Sequence, residues 1–157
     1  MEVTSYAIAL GSNRRGRHGA PAEEVRAALT LLDPVAVSPI IASAPLGPSL
    51  RRYANAAAII ATDEAPDALL RRLKHIESAF GRRTGQRWGA RVIDLDIVLW
   101  SGGTWSDATL TIPHISFRER AFVLGPLTAI APDWRDPVSG FSVRQLFSRL
   151  TARIPLP

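Results

Sequence analysis

The fold is decided by the stretch GRRTGQRWGARVIDLDIVLW, which runs from Gly81 to Trp100. Its first half is rich in arginine and glycine, whereas its second half, from Val92 onward, is an apolar run interrupted only by Asp94 and Asp96. Strand side chains alternate between two faces, so both aspartates project from one face and the apolar residues beside them from the other. The pattern predicts a strand with one buried face and one face that carries two carboxylates.

Asp94 and Asp96 suggest a metal site. Two carboxylates side by side on a strand repel each other unless a cation lies between them. Oxygen ligands of this kind suit Mg²⁺, which commonly binds through one or two carboxylates plus substrate phosphates. The preceding loop supplies planar, bidentate donors for phosphate oxygens, namely Arg82, Arg83, Arg87 and Arg91. A surface strand whose aspartates pair with nearby arginines is the alternative, because a D-x-D motif alone is short.

Length and composition limit the class of protein. A chain of 157 residues is expected to form one domain, residues 1–157, with a core of its own. The absence of cysteine excludes disulfides and thiolate metal sites. No apolar stretch approaches the ~20 residues of a membrane span, and the first residues lack the basic region of a signal peptide. A cytoplasmic enzyme is therefore expected, without a membrane partner.

The net charge of +5 indicates an anionic partner, which could be a nucleic acid, a phosphorylated metabolite or a membrane surface. Sheets that bind RNA stack bases on exposed aromatic residues of their strands. The strands predicted here carry aliphatic residues at those positions. A phosphorylated small molecule is thus favoured over a nucleic acid.

The remaining pattern predicts an α+β fold. Strands are predicted at residues 6–10, 35–44, 53–62 and 92–100, and helices at residues 21–32, 66–80, 116–130 and 143–150. This order, β-α-β-β-α-β with additions, predicts a ferredoxin-like antiparallel sheet with added strands and with helices packed on both sides, an α/β/α sandwich.

Two polar residues inside these elements need an explanation. Asn55 lies within an apolar strand, where an unpaired amide costs about 1–3 kcal/mol, so it either bonds a neighbouring loop or binds a ligand. Glu77 lies near the end of a helix, where an acidic group is unfavourable with the helix dipole. A structural pairing or a ligand must compensate, and Lys74 on the same face is the nearest cation in sequence.

Several segments, taken together, resemble one family, the 6-hydroxymethyl-7,8-dihydropterin pyrophosphokinases of folate biosynthesis. The resemblance runs from Tyr6 to about Pro132. In order, it comprises ALGSN after the first strand, PLGP followed by YxN, IE, RWGxRxxDLDI, a PH pair, and RxFVLxPLxxIAP. One such motif would be weak, but these occur in sequence order at compatible spacing.

The resemblance implies transfer of the β,γ-diphosphate of ATP to the hydroxymethyl group of the pterin, with release of AMP. Asp94 and Asp96 would hold two Mg²⁺ ions, with Arg82 and Arg91 as further catalytic residues. The implied ATP-binding residues are Lys74, Glu77, Arg83, Trp88, Arg91, Ile97, Thr111, His114 and Arg120. Such transfer depends on positioning and charge stabilisation, so no protein nucleophile is required. The partners implied are the pterin and ATP alone, and a monomer is expected.

The resemblance also implies the pterin site. Tyr53 and Phe122 would stack on the two faces of the ring, while Asn55 and the backbones of Ser43 and Leu46 would bind its edge. This chain departs from the family pattern at Lys74, Thr109, Ile115 and residues 49–52. Two alternatives remain: a paralogue that acts on a different pterin alcohol, and a catalytically silent pterin- or nucleotide-binding module.

Overall fold

The computed structural model describes residues 2–43, 52–81 and 91–152. Its main sheet is antiparallel, with strand order β2-β4-β1-β5 and with β3 also paired to β4. The strands are β1 Thr4–Ser12, β2 Ala36–Val37, β3 Ile41–Ser43, β4 Tyr53–Thr62 and β5 Asp94–Trp100. A separate hairpin contains β6 Trp105–Ser106 and β7 Thr111–Ile112. The predicted α+β class with a ferredoxin-like sheet is confirmed.

The described ranges contain four α-helices, which cover the two faces of this sheet. They are α1 Pro21–Leu32, α2 Pro66–Phe80, α3 Ala121–Ile130 and α4 Val143–Thr151. Helices α1 and α2 pack on the face that carries Tyr6, Ile8 and Leu10 of β1, whereas α3 and α4 pack on the opposite face around Ala7. Because successive side chains of β1 point to opposite faces, the strand contributes to two hydrophobic cores, as the sandwich prediction requires. No helix in the described ranges has the length and apolarity needed to cross a membrane.

The strand predicted at residues 35–44 is interrupted. Pro39 has no backbone N–H and cannot continue a ladder, so β2 ends at Val37 and β3 begins at Ile41. Ser38 bridges the break, because its N–H donates to the Ala57 carbonyl at 2.9 Å and its hydroxyl accepts the Ala57 N–H at 2.8 Å. The last predicted residue, Ala44, lies outside the described ranges.

The helix predicted at residues 116–130 is also divided. A 3-10 turn at Phe117–Glu119 is followed by Arg120 in an extended conformation, and α3 begins only at Ala121. Arg120 and Phe122, at the start of α3, lie at the same end of the sheet as the two aspartates.

Pairing in the sheet brings three polar positions together. Gly11 of β1 lies opposite Asn55 of β4 on one side and opposite Asp94 of β5 on the other. Ala9 lies opposite Asp96 in the same way. Two small residues of β1 thus lie between the predicted amide and the predicted carboxylates.

Candidate active site

A cleft of about 230 Å³ opens at this end of the sheet. The face opposite the α1–α2 core carries only small side chains on β1 here, Ala9 and Gly11, which leaves space in front of the strands. Side chains from β3, β4, β5 and the start of α3 form its walls. Seven of its lining residues were predicted from the sequence to bind substrate or metal, namely Ser43, Tyr53, Asn55, Asp94, Asp96, Arg120 and Phe122.

The two aspartates project into the cleft as the strand pattern predicts. Leu95, which lies between them, is buried in the α1–α2 core, whereas Asp94 and Asp96 are exposed. The Asp94 side chain reaches solvent at the cleft, yet partial desolvation and the charges of Glu77 and Asp96 raise its pKa to about 6. Arg91 and Lys74 oppose that shift. The two carboxylates thus form an acidic site, which the charges of Arg91 and Lys74 partly offset.

Glu77 of α2 lies beside this pair and is itself buried. Its Oε2 accepts the Leu95 N–H at 2.8 Å, and its Oε1 lies 3.2 Å from Arg91 Nη1. Lys74 Nζ lies 3.6 Å from the same Oε1. The structural pairing expected for Glu77 is present, and the prediction that it contacts ATP stays a prediction.

His114 lies on the other side of the aspartates. Its backbone N–H donates to the Val98 carbonyl of β5 at 3.0 Å, and the Nδ1 atom of its ring accepts the Ser116 backbone N–H at 3.1 Å. Burial lowers its pKa, with Arg120 acting in the same direction and Asp96 opposing both. Because Nδ1 is an acceptor, the proton of the neutral ring is assigned to Nε2, which can donate to an anionic ligand.

The predicted pterin residues line the opposite part of the cleft. Asn55 is buried, and its Oδ1 accepts a hydrogen bond from Ser43 Oγ at 2.6 Å. The amide therefore has a partner within the protein while it also lines the cleft, so the two sequence-based alternatives for Asn55 are compatible. Tyr53 and Phe122 supply aromatic surface, and the Arg120 guanidinium lies 5.8 Å from the Phe122 ring centroid.

Some predicted residues lie elsewhere. Ile97 points into the α1–α2 core, so only its backbone is left for a ligand. Thr111 lines a separate groove together with Ile115, outside the cleft. Four others, Leu46, Arg82, Arg83 and Trp88, lie outside the described ranges.

Gly11 is a site residue that the sequence analysis missed. The first strand is predicted to end at residue 10, whereas β1 continues to Ser12. A Cβ at Gly11 would lie 3.0 Å from Asn55 Nδ2, so the glycine gives the amide its space. A glycine within a strand often marks such a close approach, and this was the available signal.

Comparison with known proteins leads to the same family that the sequence motifs resemble. A family model described as 7,8-dihydro-6-hydroxymethylpterin-pyrophosphokinase (HPPK) matches residues 7–132. A curated 2-amino-4-hydroxy-6-hydroxymethyldihydropteridine pyrophosphokinase from Pseudomonas aeruginosa is 42% identical over 137 residues, which cover 83% of this chain and 82% of the relative. The relative of the same name from Synechocystis is 40% identical over 104 residues, which cover 66% of this chain and 53% of the relative.

A solved structure supports the fold. The crystal structure of Plasmodium falciparum HPPK-DHPS with pteroate matches with a TM-score of 0.75 at 15% identity, over 98% of this chain and 43% of that chain. At this identity the likeness establishes the architecture alone. The family model and the curated relatives go further: the chain belongs to the 7,8-dihydro-6-hydroxymethylpterin-pyrophosphokinase family, whose members are pyrophosphokinases of folate biosynthesis.

Proposed function

We propose that this protein transfers the β,γ-diphosphate of ATP to the hydroxymethyl group of 6-hydroxymethyl-7,8-dihydropterin and releases AMP. The hydroxymethyl oxygen attacks the β-phosphorus, and the bond from that phosphorus to the α,β-bridging oxygen breaks. One observation carries the proposal: the carboxylates of Asp94 and Asp96 share one cleft with Tyr53, Asn55 and Phe122. An end suited to metal and phosphate thus adjoins an end suited to a flat heterocycle.

Mg²⁺ suits the donors at the acidic end. The raised pKa of Asp94 reflects burial and acidic neighbours, an arrangement that a bound cation relieves. We assign Asp94 and Asp96 as ligands of two Mg²⁺ ions. The remaining ligands would be phosphate oxygens and water, because the described ranges contain no group of three or more His, Asp or Glu side chains arranged for a metal. When bound, Mg²⁺ offsets the charge of the diphosphate.

The cations around the aspartates bind the rest of the triphosphate. Arg120 enters the cleft from the start of α3, and Arg91 lies three residues before β5. His114 offers its Nε2–H, and Lys74 adds charge at the α2 side. Arg82, Arg83, Trp88, Thr111 and the Ile97 backbone complete the nucleotide site in this proposal, and Glu77 lies against Arg91. These groups hold the triphosphate in line with the attacking oxygen, which is the main requirement of such a transfer.

The pterin lies at the other end. Tyr53 and Phe122 stack on its two faces, and Asn55 binds its edge together with the backbones of Ser43 and Leu46. The hydrogen bond from Ser43 to Asn55 fixes the amide orientation, so that the Nδ2 group faces a defined direction. The ring is thereby oriented with its hydroxymethyl group toward the aspartates.

Product analysis tests the proposal. The protein is incubated with ATP, Mg²⁺ and 6-hydroxymethyl-7,8-dihydropterin, and nucleotides are separated by chromatography. AMP formed in equal amount to the pterin diphosphate is the expected result. ADP would indicate single phosphoryl transfer, turnover only with another pterin alcohol would indicate a paralogue, and binding without turnover would indicate a silent module.

Asp96→Asn provides the matched variant for this assay. Removal of one metal ligand with little change in volume is expected to lower turnover at least about a hundredfold. Asp133→Asn is the control, because the Asp133 side chain is 88% exposed and makes only a 3.8 Å contact with Arg144. Near-normal turnover of Asp96→Asn would refute the metal assignment.

A further inference from the structure

Glu77 is a buried carboxylate that the proposed chemistry does not require to react. It is 5% exposed and lies in the last turn of α2, where the helix dipole disfavours an acid. Burial of a charge is costly unless the group is paired and hydrogen-bonded. The partners of Glu77 therefore indicate why an acid is present at this position.

The first partner is the backbone of β5. Among the described strands of the main sheet, β5 is terminal and pairs with β1. The Leu95 N–H donates instead to Glu77 Oε2 at 2.8 Å, so the carboxylate takes the place of a neighbouring strand at that residue. Leu95 lies directly between Asp94 and Asp96, and its side chain is anchored in the α1–α2 core. Glu77 thus holds the Asp94–Leu95 peptide, one of the two peptide groups between the aspartates.

The second partner is a cation that lies three residues before the same strand. Arg91 Nη1 lies 3.2 Å from Glu77 Oε1, and the Arg91 side chain is 38% exposed. One end of the guanidinium is therefore held while the rest remains accessible to a ligand. Lys74 Nζ, at 3.6 Å from the same oxygen, contributes further positive charge. A single carboxylate links the aspartate strand to an arginine suited to phosphate.

We infer that Glu77 is a positioning residue that fixes the spacing of Asp94 and Asp96 and the direction of Arg91, rather than a group that touches ATP. The inference rests on the proposed function for its consequence in catalysis, but its structural part is independent of any substrate. If Glu77 contacted ATP directly, its two carboxylate oxygens would have to bind the ligand as well as Leu95 and Arg91. Substitution of Glu77 would then change the affinity for the nucleotide.

Two variants separate these possibilities. Glu77→Gln can still accept the Leu95 N–H through its carbonyl oxygen, but it turns an NH₂ group toward Arg91. Glu77→Ala loses both interactions. Glu64→Ala is the control, because Glu64 forms a comparable ion pair with Arg72 at 2.8 Å without contact to β5. Circular dichroism of each variant verifies that it is folded before the other measurements are made.

The first readout is hydrogen exchange at the Leu95 amide by NMR, without nucleotide. Glu77→Ala is expected to lower its protection at least about tenfold, whereas Glu77→Gln and Glu64→Ala leave it close to wild type. Unchanged protection in Glu77→Ala would overturn the inference. If Glu77→Ala does not fold, Glu77→Gln decides the question. Retained protection of the Leu95 amide in Glu77→Gln, together with the kinetic result below, supports the inference, whereas lost protection overturns it.

The second readout separates kcat from nucleotide affinity. Glu77→Gln is expected to lower kcat about tenfold or more, because Arg91 keeps its charge near the triphosphate but loses the direction that the transfer requires. The Kd for an α,β-methylene analogue of ATP is expected to change less than about threefold. A change in Kd with kcat preserved would instead indicate direct contact with ATP. If the wild-type protein forms no AMP, the proposed function fails, whereas the exchange experiment still tests the structural part of the inference.

Discussion

Asp94 combines solvent access with an unfavourable charge environment. In the folded protein, burial and the charges of Glu77 and Asp96 raise the pKa of Asp94 to about 6, above the ordinary value of an aspartate. A carboxyl group with a raised folded pKa destabilises the fold progressively as the pH rises from its unfolded pKa to its folded pKa. In metal-free protein, this destabilisation should therefore develop between about pH 4 and 6 and be complete above that range.

Asp94→Asn should accordingly stabilise the metal-free protein while it removes turnover. We expect a higher Tm than wild type at pH 7, in the presence of EDTA, and no difference near pH 3.5, where both proteins are neutral at this position. Thermal unfolding at the two pH values is the measurement. A lower Tm of Asp94→Asn at pH 7 would contradict the electrostatic account, and retained turnover would contradict the metal assignment.

Asn55→Ala should affect the pterin far more than ATP. The lost amide would leave polar groups on the pterin edge buried and unpaired, which costs about 1–3 kcal/mol, or roughly 5- to 150-fold in affinity. Calorimetric titration with each ligand measures the two effects. Equal weakening for both ligands would mean that the amide does not belong to a separate pterin end of the cleft.

Among the secondary-structure elements, those with strong local signals could be predicted from the sequence. Helix α2 has the predicted bounds because Pro66 suits a first helical turn and Gly81 takes a φ of +88°, which glycine adopts readily. The strand at residues 35–44 was wrong in its continuity because Pro39 interrupts it, and the bridging role of Ser38 depends on Ala57 in a distant strand.

The same distinction applies to the site. The aspartate pair could be predicted because its residues are two positions apart on one strand. The partners of Gly11 could not, because the register of three strands decides that it lies opposite both Asn55 and Asp94. The paired state of Glu77 similarly depends on the approach of α2 to the Leu95 N–H of β5.

Gly11→Ala tests this register-dependent contact in β1. An alanine suits a strand conformation, but its Cβ would lie 3.0 Å from Asn55 Nδ2 and displace the amide. We expect pterin affinity to fall about tenfold with little change in Tm, since the cleft accommodates a small movement. Titration with the pterin, with thermal unfolding as the control, measures this. Unchanged pterin affinity would show that the amide tolerates the added methyl group.

At the scale of the whole molecule, a buried ion pair links the segments around α3. Asp136 has no exposed surface, and its carboxylate accepts hydrogen bonds from Arg118, from Ser139 Oγ and from the Val138 N–H. Burial opposes ionisation, but these hydrogen bonds outweigh it and lower the pKa of Asp136 to about 2. The 3-10 turn before α3 is thus tied to the segment that leads into α4.

Asp136→Asn should therefore lower stability in a pH-dependent way. A depressed folded pKa contributes stability above the unfolded value, and that contribution is lost as the pH falls from about 4 to about 2. At pH 7 we expect a loss of about 1.5–3 kcal/mol on removal of the charge. Urea unfolding at pH 7 and near pH 2.5 tests this, and an equal loss at both pH values would contradict it.

The opposition of Gly11 to both Asn55 and Asp94 has a geometric consequence for substrate choice. Two strand spacings, about 10 Å, separate the amide from the carboxylate. Because backbone hydrogen bonds between the strands fix this distance, side-chain substitutions change it little. An alcohol whose arm is one methylene longer, with its ring held by Asn55, would carry its oxygen past the point where the phosphorus is presented. The sheet would then select substrates by reach, in addition to the selection by ring chemistry.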